Sequence, residues 1–113
     1  MPFIHTITNR SMTDTQIETL KQELGQAITA IRGKSEAWLM VQLEPDAELW
    51  FQGTDEPCAM VEVTIYGGAD DDEYDLLTAR ICDLVSAELS IDPARIFVRY
   101  LETEHWGWNG ANF

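Results

Sequence analysis

Residues 60–73 read Met60-Val61-Glu62-Val63-Thr64-Ile65-Tyr66-Gly67-Gly68-Ala69-Asp70-Asp71-Asp72-Glu73. The β-branched side chains in the first half of this stretch predict a strand, and the two glycines end it. The acidic run fits no calcium-binding loop, but carboxylates are favoured at a helix N-terminus. A helical pattern does follow, with an apolar face at Leu77, Ile81, Leu84, Val85 and Leu89. Because Ile96–Leu101 predicts another strand after Asp92-Pro93, this half of the chain is expected to form a β-α-β unit.

The first half of the chain repeats that order. Phe3–Thr8 predicts a strand, and Thr13-x-x-Gln16 has the form of a capping box at the start of a helix. Apolar residues then recur at three- and four-residue steps, at Ile17, Leu20, Leu24, Ala27, Ile28 and Ile31. Gly33 supplies a helix stop, and Trp38–Leu43 predicts a buried strand. A shift of 58 residues places Ile7 on Ile65, so we expect the two halves to be related by pseudo-symmetry.

These patterns predict one α/β (α+β) domain over residues 1–113. Two right-handed crossovers would place both helices on one face of a four-stranded sheet. The segment Trp38-Leu39-Met40-Val41 is apolar throughout, as in strands that are buried on both faces. Because two helices can cover only one face, we expect other subunits to cover the second.

The charge balance argues against several classes of partner. Twenty acidic and seven basic residues give a formal net charge of −13, which repels nucleic-acid phosphates and anionic membrane surfaces. No apolar run approaches the roughly 20 residues that span a bilayer, and the first residues lack signal-peptide features, so a cytoplasmic location is expected. Cys58 and Cys82 have neither zinc-site nor Cys-x-x-Cys spacing, which favours reduced structural cysteines. We expect no metal or other cofactor.

Few residues are suited to acid–base chemistry. Of the two histidines, His5 is expected to be structural within the first strand, whereas His105 is open to either role. Pro2 is distinctive, because removal of Met1 would leave a rigid secondary amine at the first residue of a strand. A free α-amino group has a pKa of about 8, which burial or a nearby cation lowers towards the range of a general base.

Five short segments, in their order along the chain, carry a resemblance to a known family. They are Pro2-Phe3-Ile4, Gly33-Lys34, Asp55–Ala59, Asp92–Phe97 and Gly107–Phe113. Together with the element order, they resemble the macrophage migration inhibitory factor family of the tautomerase superfamily over the whole chain. The resemblance implies a homotrimeric, tautomerase-like fold with active sites at the subunit interfaces. It also implies keto–enol isomerisation of small α-keto acids of the phenylpyruvate type.

The resemblance further implies roles for individual residues. Pro2 would be the general base, and Lys34 would hold the substrate carboxylate. The main-chain N–H of Tyr66, next to Ile65, would meet the same carboxylate. The adjacent subunit would supply the aromatic walls of the ring pocket, namely Phe97, Trp106, Trp108 and Phe113.

The sequence also departs from the vertebrate members of that family. Phe97 and Arg99 stand where those members place a tyrosine and an asparagine that meet the far end of the substrate. Cys58-Ala59-Met60-Val61 lacks the second cysteine of their Cys-x-x-Cys, so a thiol–disulfide activity does not carry over. Substrate preference is therefore the property that the resemblance defines least.

Simpler explanations exist for several of these residues. A lysine at a helix C-terminus, such as Lys34, is favoured by the helix dipole without any ligand. Arg99, in a strand of an acidic protein, could merely pair with a carboxylate. The aromatic tail could fold back on its own subunit, and Trp38 and Trp50 could pack in the core or in an interface.

Two other function classes compete with the isomerase. A cytokine-like protein, secreted without a signal peptide, would bind a receptor, and its activity would survive loss of the Pro2 amine. A hydratase or decarboxylase acting on a small oxo acid is the third class. A second carboxylate-binding cation would favour it, and Arg99 is the candidate.

Overall fold

The structure is a computed structural model that describes residues 1–113. Its main sheet contains β1 (Pro2–Thr8), β2 (Met40–Glu44), β3 (Ala59–Tyr66) and β4 (Ile96–Thr103). Two helices, α1 (Asp14–Ala27) and α2 (Asp71–Leu89), follow β1 and β3. A two-stranded ribbon, β5 (Gly107–Trp108) and β6 (Ala111–Asn112), ends the chain. Single 3-10 turns occupy Ile28–Ala30, Glu36–Trp38 and Pro93–Arg95.

The sheet has the strand order β2-β1-β3-β4. The outer pairs, β1 with β2 and β3 with β4, are parallel, whereas the central pair β1 with β3 is antiparallel. Each parallel pair is joined through one helix, so the chain consists of two β-α-β units facing each other across β1 and β3. The predicted fold class is confirmed.

Both helices begin where the sequence predicts. The side chain of Thr13 accepts a hydrogen bond from the Gln16 N–H at 3.1 Å, and the Gln16 side chain accepts one from the Thr13 N–H at 2.8 Å. At the start of α2, the Glu73 carboxylate accepts a hydrogen bond from the Asp70 N–H at 3.1 Å. The acidic run therefore satisfies free N–H groups at a helix start. Helix α1 ends at Ala27, earlier than its apolar pattern, because the chain tightens into the 3-10 turn before Gly33, whose φ is +83°.

The hydrophobic core lies between the two helices and one face of the sheet. Its fully buried members include Ile4, Val61, Val63 and Ile65 from the central strands and Leu20, Leu24, Leu77, Ile81 and Val85 from the helices. Burial of each of these aliphatic side chains contributes about 1.5–3 kcal/mol. The core thus fixes the central strands, and with them the position of Pro2 at the start of β1.

No helix covers the opposite face of the sheet, and its residues form three rows across the strands. One outer row is Met40, Phe3, Thr64 and Leu101, and the other is Glu44, Ile7, Met60 and Phe97. The middle row is polar and consists of Gln42, His5, Glu62 and Arg99. The prediction that both faces are apolar is therefore correct for most of the outer rows and wrong for the middle one.

The segment predicted as a buried strand, Trp38–Leu43, needs a correction. Its strand is Met40–Glu44, while Trp38 lies in the preceding 3-10 turn. Met40 is 68% exposed because β2 is an edge strand whose alternate side chains point to the uncovered face. An apolar run does not reveal that position in the sheet.

No helix of the structure is long and apolar enough to traverse a bilayer.

Candidate active site

An open cavity of approximately 680 Å³ lies at the end of the sheet where β1 begins. Its lining is mostly apolar and consists of Met1, Pro2, Phe3, Ala37, Trp38, Leu39, Met40, Thr64, Trp106, Gly107 and Trp108. Since β1 and β2 are parallel, the segments that precede them lie at the same end of the sheet, and the terminal ribbon adds a third wall. The volume is within the usual range for small-molecule pockets.

Pro2 lies in this cavity as the first residue of β1. It pairs with Ile65 of β3 and is buried. Proline fits the first position of a strand because it has no N–H to contribute to the sheet. The α-amino group next to it, on Met1, has a pKa lowered from 8.0 to about 6, first by burial and then by the neighbouring Lys34. The environment at this end of the chain therefore favours a neutral amine.

Lys34 reaches the same place from the loop after α1. Its ammonium donates a hydrogen bond to the Tyr66 carbonyl at 3.3 Å, and its side chain also neighbours the Met1 amine. The Arg32 N–H donates to the Glu73 carboxylate at 2.6 Å, which ties this loop to the first turn of α2. The hydrogen bonds from the Arg32 N–H and the Asp70 N–H lower the pKa of Glu73 below its usual range, the one from Arg32 most. The start of α2 thus helps to position Lys34.

Tyr66 and Ile65 differ in what they present to the cavity. The Tyr66 main-chain N–H donates a hydrogen bond to the Met1 carbonyl at 3.1 Å. The Ile65 side chain is fully buried in the core, so only its backbone lies near Pro2. Of these two neighbours, Tyr66 therefore carries the hydrogen-bond donor at the site, and that donor is engaged by Met1.

The terminal aromatic residues gather on the same chain's cavity. Trp108 lies edge-to-face with Trp38, with ring centroids 5.0 Å apart, and Phe113 stacks on Trp108 at 6.2 Å. Phe113 also lies 5.7 Å from the Tyr66 ring. The expectation that the adjacent subunit supplies Trp106, Trp108 and Phe113 is corrected, because the tail folds back on its own subunit.

A tight hairpin explains this placement of the tail. Asn109 and Gly110 have φ values of 51° and 87°, which suit the two-residue turn between β5 and β6. The Phe113 N–H then donates to the Trp106 carbonyl at 3.0 Å. The Asn-Gly pair is the sequence signal that predicts such a hairpin. His105, just before the ribbon, is exposed and does not line the cavity.

Phe97 and Arg99 lie outside the cavity of their own chain. Phe97 pairs with Met60, five positions along β3 from Ile65, which corresponds to about 16 Å. It packs edge-to-face on Phe51 with ring centroids 4.9 Å apart. Arg99 forms an ion pair with Glu62, whose carboxylate also lies 3.6 Å from the His5 ring. Arg99 thus pairs with a carboxylate, as the simpler explanation of this residue predicts.

Trp38 is the cavity residue that the sequence interpretation missed. The sequence predicts packing in the core or in an interface for Trp38, which is 46% exposed in one chain and lines the cavity beside Trp108. The sequence signal for this role of Trp38 is its position, because it lies between Lys34 and a strand that is parallel to β1. A residue at that point must lie at the same end of the sheet as Pro2.

Comparisons with known proteins agree with this fold. The family model "Macrophage migration inhibitory factor (MIF)" matches residues 1–113. Macrophage migration inhibitory factor of Mus musculus is 33% identical over 101 residues, which is 85% of each chain. The crystal structure of Leishmania major MIF2 has a TM-score of 0.93 and 34% identity, and covers 100% of this chain and 97% of its own. Pt0534, solved after inactivation by 2-oxo-3-pentynoate, shares the fold with a TM-score of 0.85 at 18% identity, covering 96% of this chain and 93% of its own.

A family model that spans every element from β1 to the terminal ribbon leaves no part of the fold outside the match. The relatives at 33% and 34% identity extend that match in sequence and in structure. The chain therefore belongs to the macrophage migration inhibitory factor family of the tautomerase superfamily.

Proposed function

We propose that this protein is a keto–enol tautomerase for phenylpyruvate-type α-keto acids, with the Pro2 amine as its general base after removal of Met1. The observation that carries the proposal is the set of groups that Met1 engages. Its carbonyl accepts the Tyr66 N–H, and its amine lies beside Lys34. Without Met1, a cation and an N–H donor would face the Pro2 amine across an apolar, aromatic cavity.

An aryl α-keto acid matches those groups in chemistry. Its carboxylate would accept hydrogen bonds from Lys34 and from the Tyr66 N–H, since bonds to a charged acceptor are the stronger kind. Its ring would lie among Trp38, Trp106 and Trp108. The fold relative Pt0534 is inactivated by 2-oxo-3-pentynoate, which is itself a 2-oxo acid.

The reaction moves one proton between carbon and oxygen. The Pro2 lone pair takes a proton from the carbon next to the carbonyl, so that a C–H bond breaks and Pro2 becomes an ammonium. The enolate oxygen then takes a proton from the Pro2 ammonium, which forms the enol and restores the amine. Burial and the Lys34 charge would lower the pKa of the Pro2 amine, as they lower that of the Met1 amine, and so keep the base neutral at physiological pH.

The direct test is turnover of phenylpyruvate, followed by absorbance, with protein whose mass shows that it begins at Pro2. Absence of turnover in that form would reject the proposal. A receptor-binding function would instead persist after the Pro2 amine is blocked. A second carboxylate-binding cation would favour the hydratase or decarboxylase alternative, but Arg99, the candidate for that cation, is paired with Glu62.

We also propose a homotrimer. One sheet face has no helix over it and exposes Met40, Phe97 and Leu101 by 68%, 52% and 45%. Sedimentation equilibrium at micromolar concentration should give three times the chain mass, because burial of such side chains in an interface is favourable. A monomer at that concentration would contradict both the assembly and an active site that subunits share.

Substrate preference follows from the residues at the vertebrate tyrosine and asparagine positions. Phe97 has no polar atom on its ring, and the Arg99 guanidinium is engaged by Glu62. We expect kcat/KM for 4-hydroxyphenylpyruvate to exceed that for phenylpyruvate by less than the roughly fivefold that one hydrogen bond of about 1 kcal/mol provides. Parallel assays with the two substrates measure this ratio. A strong preference for the hydroxylated substrate would contradict the assignment of these positions.

A further inference from the structure

The two helices begin with the same type of hydrogen-bonded cap, made by Gln16 in α1 and by Glu73 in α2. In α1, the Gln16 side-chain oxygen accepts the Thr13 N–H at 2.8 Å, and its amide nitrogen donates to the Glu88 carbonyl at 3.1 Å. In α2, one Glu73 oxygen accepts the Asp70 N–H at 3.1 Å. A neutral amide therefore suffices for such a cap, and the second oxygen of Glu73 can make a different contact.

That second oxygen accepts a hydrogen bond from the Arg32 N–H at 2.6 Å. The contact crosses from one β-α-β unit to the other, since Arg32 lies 41 positions before Glu73. An amide side chain at position 73 would have one acceptor oxygen for two N–H donors. The contact with Arg32 is thus what a glutamate provides at this position and a glutamine does not.

Arg32 is the second residue of a tight turn that ends at Lys34. The Lys34 N–H donates to the Ile31 carbonyl at 3.1 Å, and Gly33 has a φ of +83°, which is typical of the third residue of a type II turn. Ile31 is buried in the core, whereas Arg32 and Gly33 are exposed. The Arg32 N–H has no main-chain partner in this turn, so its hydrogen bond is the one to Glu73.

Two hydrogen bonds join this turn to the second β-α-β unit. One is the Arg32 contact with Glu73, which locates the main chain, and the other runs from the Lys34 ammonium to the Tyr66 carbonyl at 3.3 Å. A lysine side chain is long and flexible, so the second contact alone would not fix the main chain. The hydrogen bonds that Glu73 accepts lower the pKa of its carboxyl, which is therefore ionised and able to hold the turn at every pH above that lowered pKa.

We propose that Glu73 is a positioning residue of the active site: its carboxylate, at the start of α2, holds the turn at residues 31–34 where the Lys34 ammonium meets the substrate carboxylate. The effect on catalysis rests on the proposed function, whereas the hold on the turn does not. Glu73 does not line the cavity, so it acts on the substrate only through Lys34. Helix α2 thereby influences the affinity for a substrate that it does not contact.

The first experiment measures phenylpyruvate kinetics of Glu73→Gln in protein that begins at Pro2. KM should rise about 3- to 10-fold, the factor that one ordinary hydrogen bond provides, while kcat stays unchanged because the base is untouched. Gln16→Ala removes the matching cap residue of α1, and Asp72→Asn removes an exposed carboxylate beside Glu73. Both controls should keep the wild-type KM, and circular dichroism checks that all variants fold.

The second experiment combines Glu73→Gln with Lys34→Ala. In that background Glu73→Gln should leave KM where Lys34→Ala alone puts it, because no ammonium remains to be positioned. A loss of stability alone would instead change KM equally in both backgrounds. An equal change in both backgrounds, or an unchanged KM of the Glu73→Gln single variant, would overturn the positioning role.

The third experiment tests the contact without any substrate, by hydrogen exchange of the Arg32 N–H followed by NMR. Arg32 is exposed, so the hydrogen bond to Glu73 is what protects this N–H. The N–H should exchange about tenfold faster or more in Glu73→Gln and at the wild-type rate in Gln16→Ala. An unchanged rate in Glu73→Gln would overturn the proposal, whatever the kinetics. Faster exchange together with a wild type that does not turn over phenylpyruvate would reject the proposed function and leave the hold on the turn supported.

Discussion

Protein that begins at Pro2 should turn over phenylpyruvate about 10²–10⁴ times faster than protein that retains Met1, because general-base catalysis typically contributes that factor. With Met1 attached, the Pro2 nitrogen is part of a peptide bond, and its lone pair is delocalised into the carbonyl. The Met1 carbonyl also accepts a hydrogen bond from the Tyr66 N–H at 3.1 Å. Retention of Met1 therefore removes the base and blocks a donor for the substrate carboxylate.

Mass spectrometry separates the two forms, and each is then assayed at equal protein concentration. Pro2→Gly, processed so that it begins at residue 2, is the matched variant, because it leaves a primary amine at the same place. It should keep some turnover, since the base survives with less rigidity. Equal activity of the Met1-retaining and Pro2-starting forms would refute the mechanism, whatever the substrate preference.

Much of the fold follows from local patterns. The capping residues Thr13 and Asp70 mark both helix starts, and the β-branched run in β3 marks the central strand. These signals depend on contacts within a few residues, and the structure contains them. The pairing of the two β-α-β units can also be predicted from the sequence, because a short chain with this element order has few ways to bury the apolar faces of its two helices.

The sequence could not show which residues meet across the sheet. The Arg99–Glu62 ion pair depends on the register of β3 with β4, which places those two residues opposite each other. In the same way, Trp38 reaches the cavity because β2 is parallel to β1, while its own neighbours in sequence read only as apolar. Burial of such a run depends on its place in the sheet, and that place is a tertiary property.

The tail shows a second limit. A dense aromatic segment predicts packing but does not say whether the partner surface belongs to the same chain. Here the Asn109-Gly110 turn returns the chain on itself, so Trp108 and Phe113 join the cavity of their own subunit. Phe97, by contrast, lies at the far end of the sheet. Which aromatic side chains line the cavity of their own chain thus follows from a turn and a strand register, which composition does not reveal.

Lys34→Ala should lower kcat/KM for phenylpyruvate about 10- to 100-fold, the cost of losing a hydrogen bond to a charged group. The loss should appear mainly as a higher KM, because the carboxylate is bound equally in substrate and transition state. Lys34 is partly exposed, so the thermal midpoint should change little. Lys21→Ala is the matched control, since Lys21 pairs only with Glu18 on the surface of α1.

The pH dependence of the same variant separates a substrate-binding lysine from one that merely suits the end of a helix. The Pro2 amine acts in its neutral form, so activity falls as pH drops through the pKa of that amine. For the Met1 amine, burial is the largest cause of the lowered pKa and Lys34 is the second, and we expect the same two causes to act on the Pro2 amine. Removal of the lysine charge should therefore raise the amine pKa part of the way back and move the acid limb of kcat/KM to higher pH. An unchanged KM together with an unchanged acid limb of the pH profile would show that Lys34 acts only as a cation near the end of a helix, because its charge would then affect neither substrate binding nor the pKa of the base.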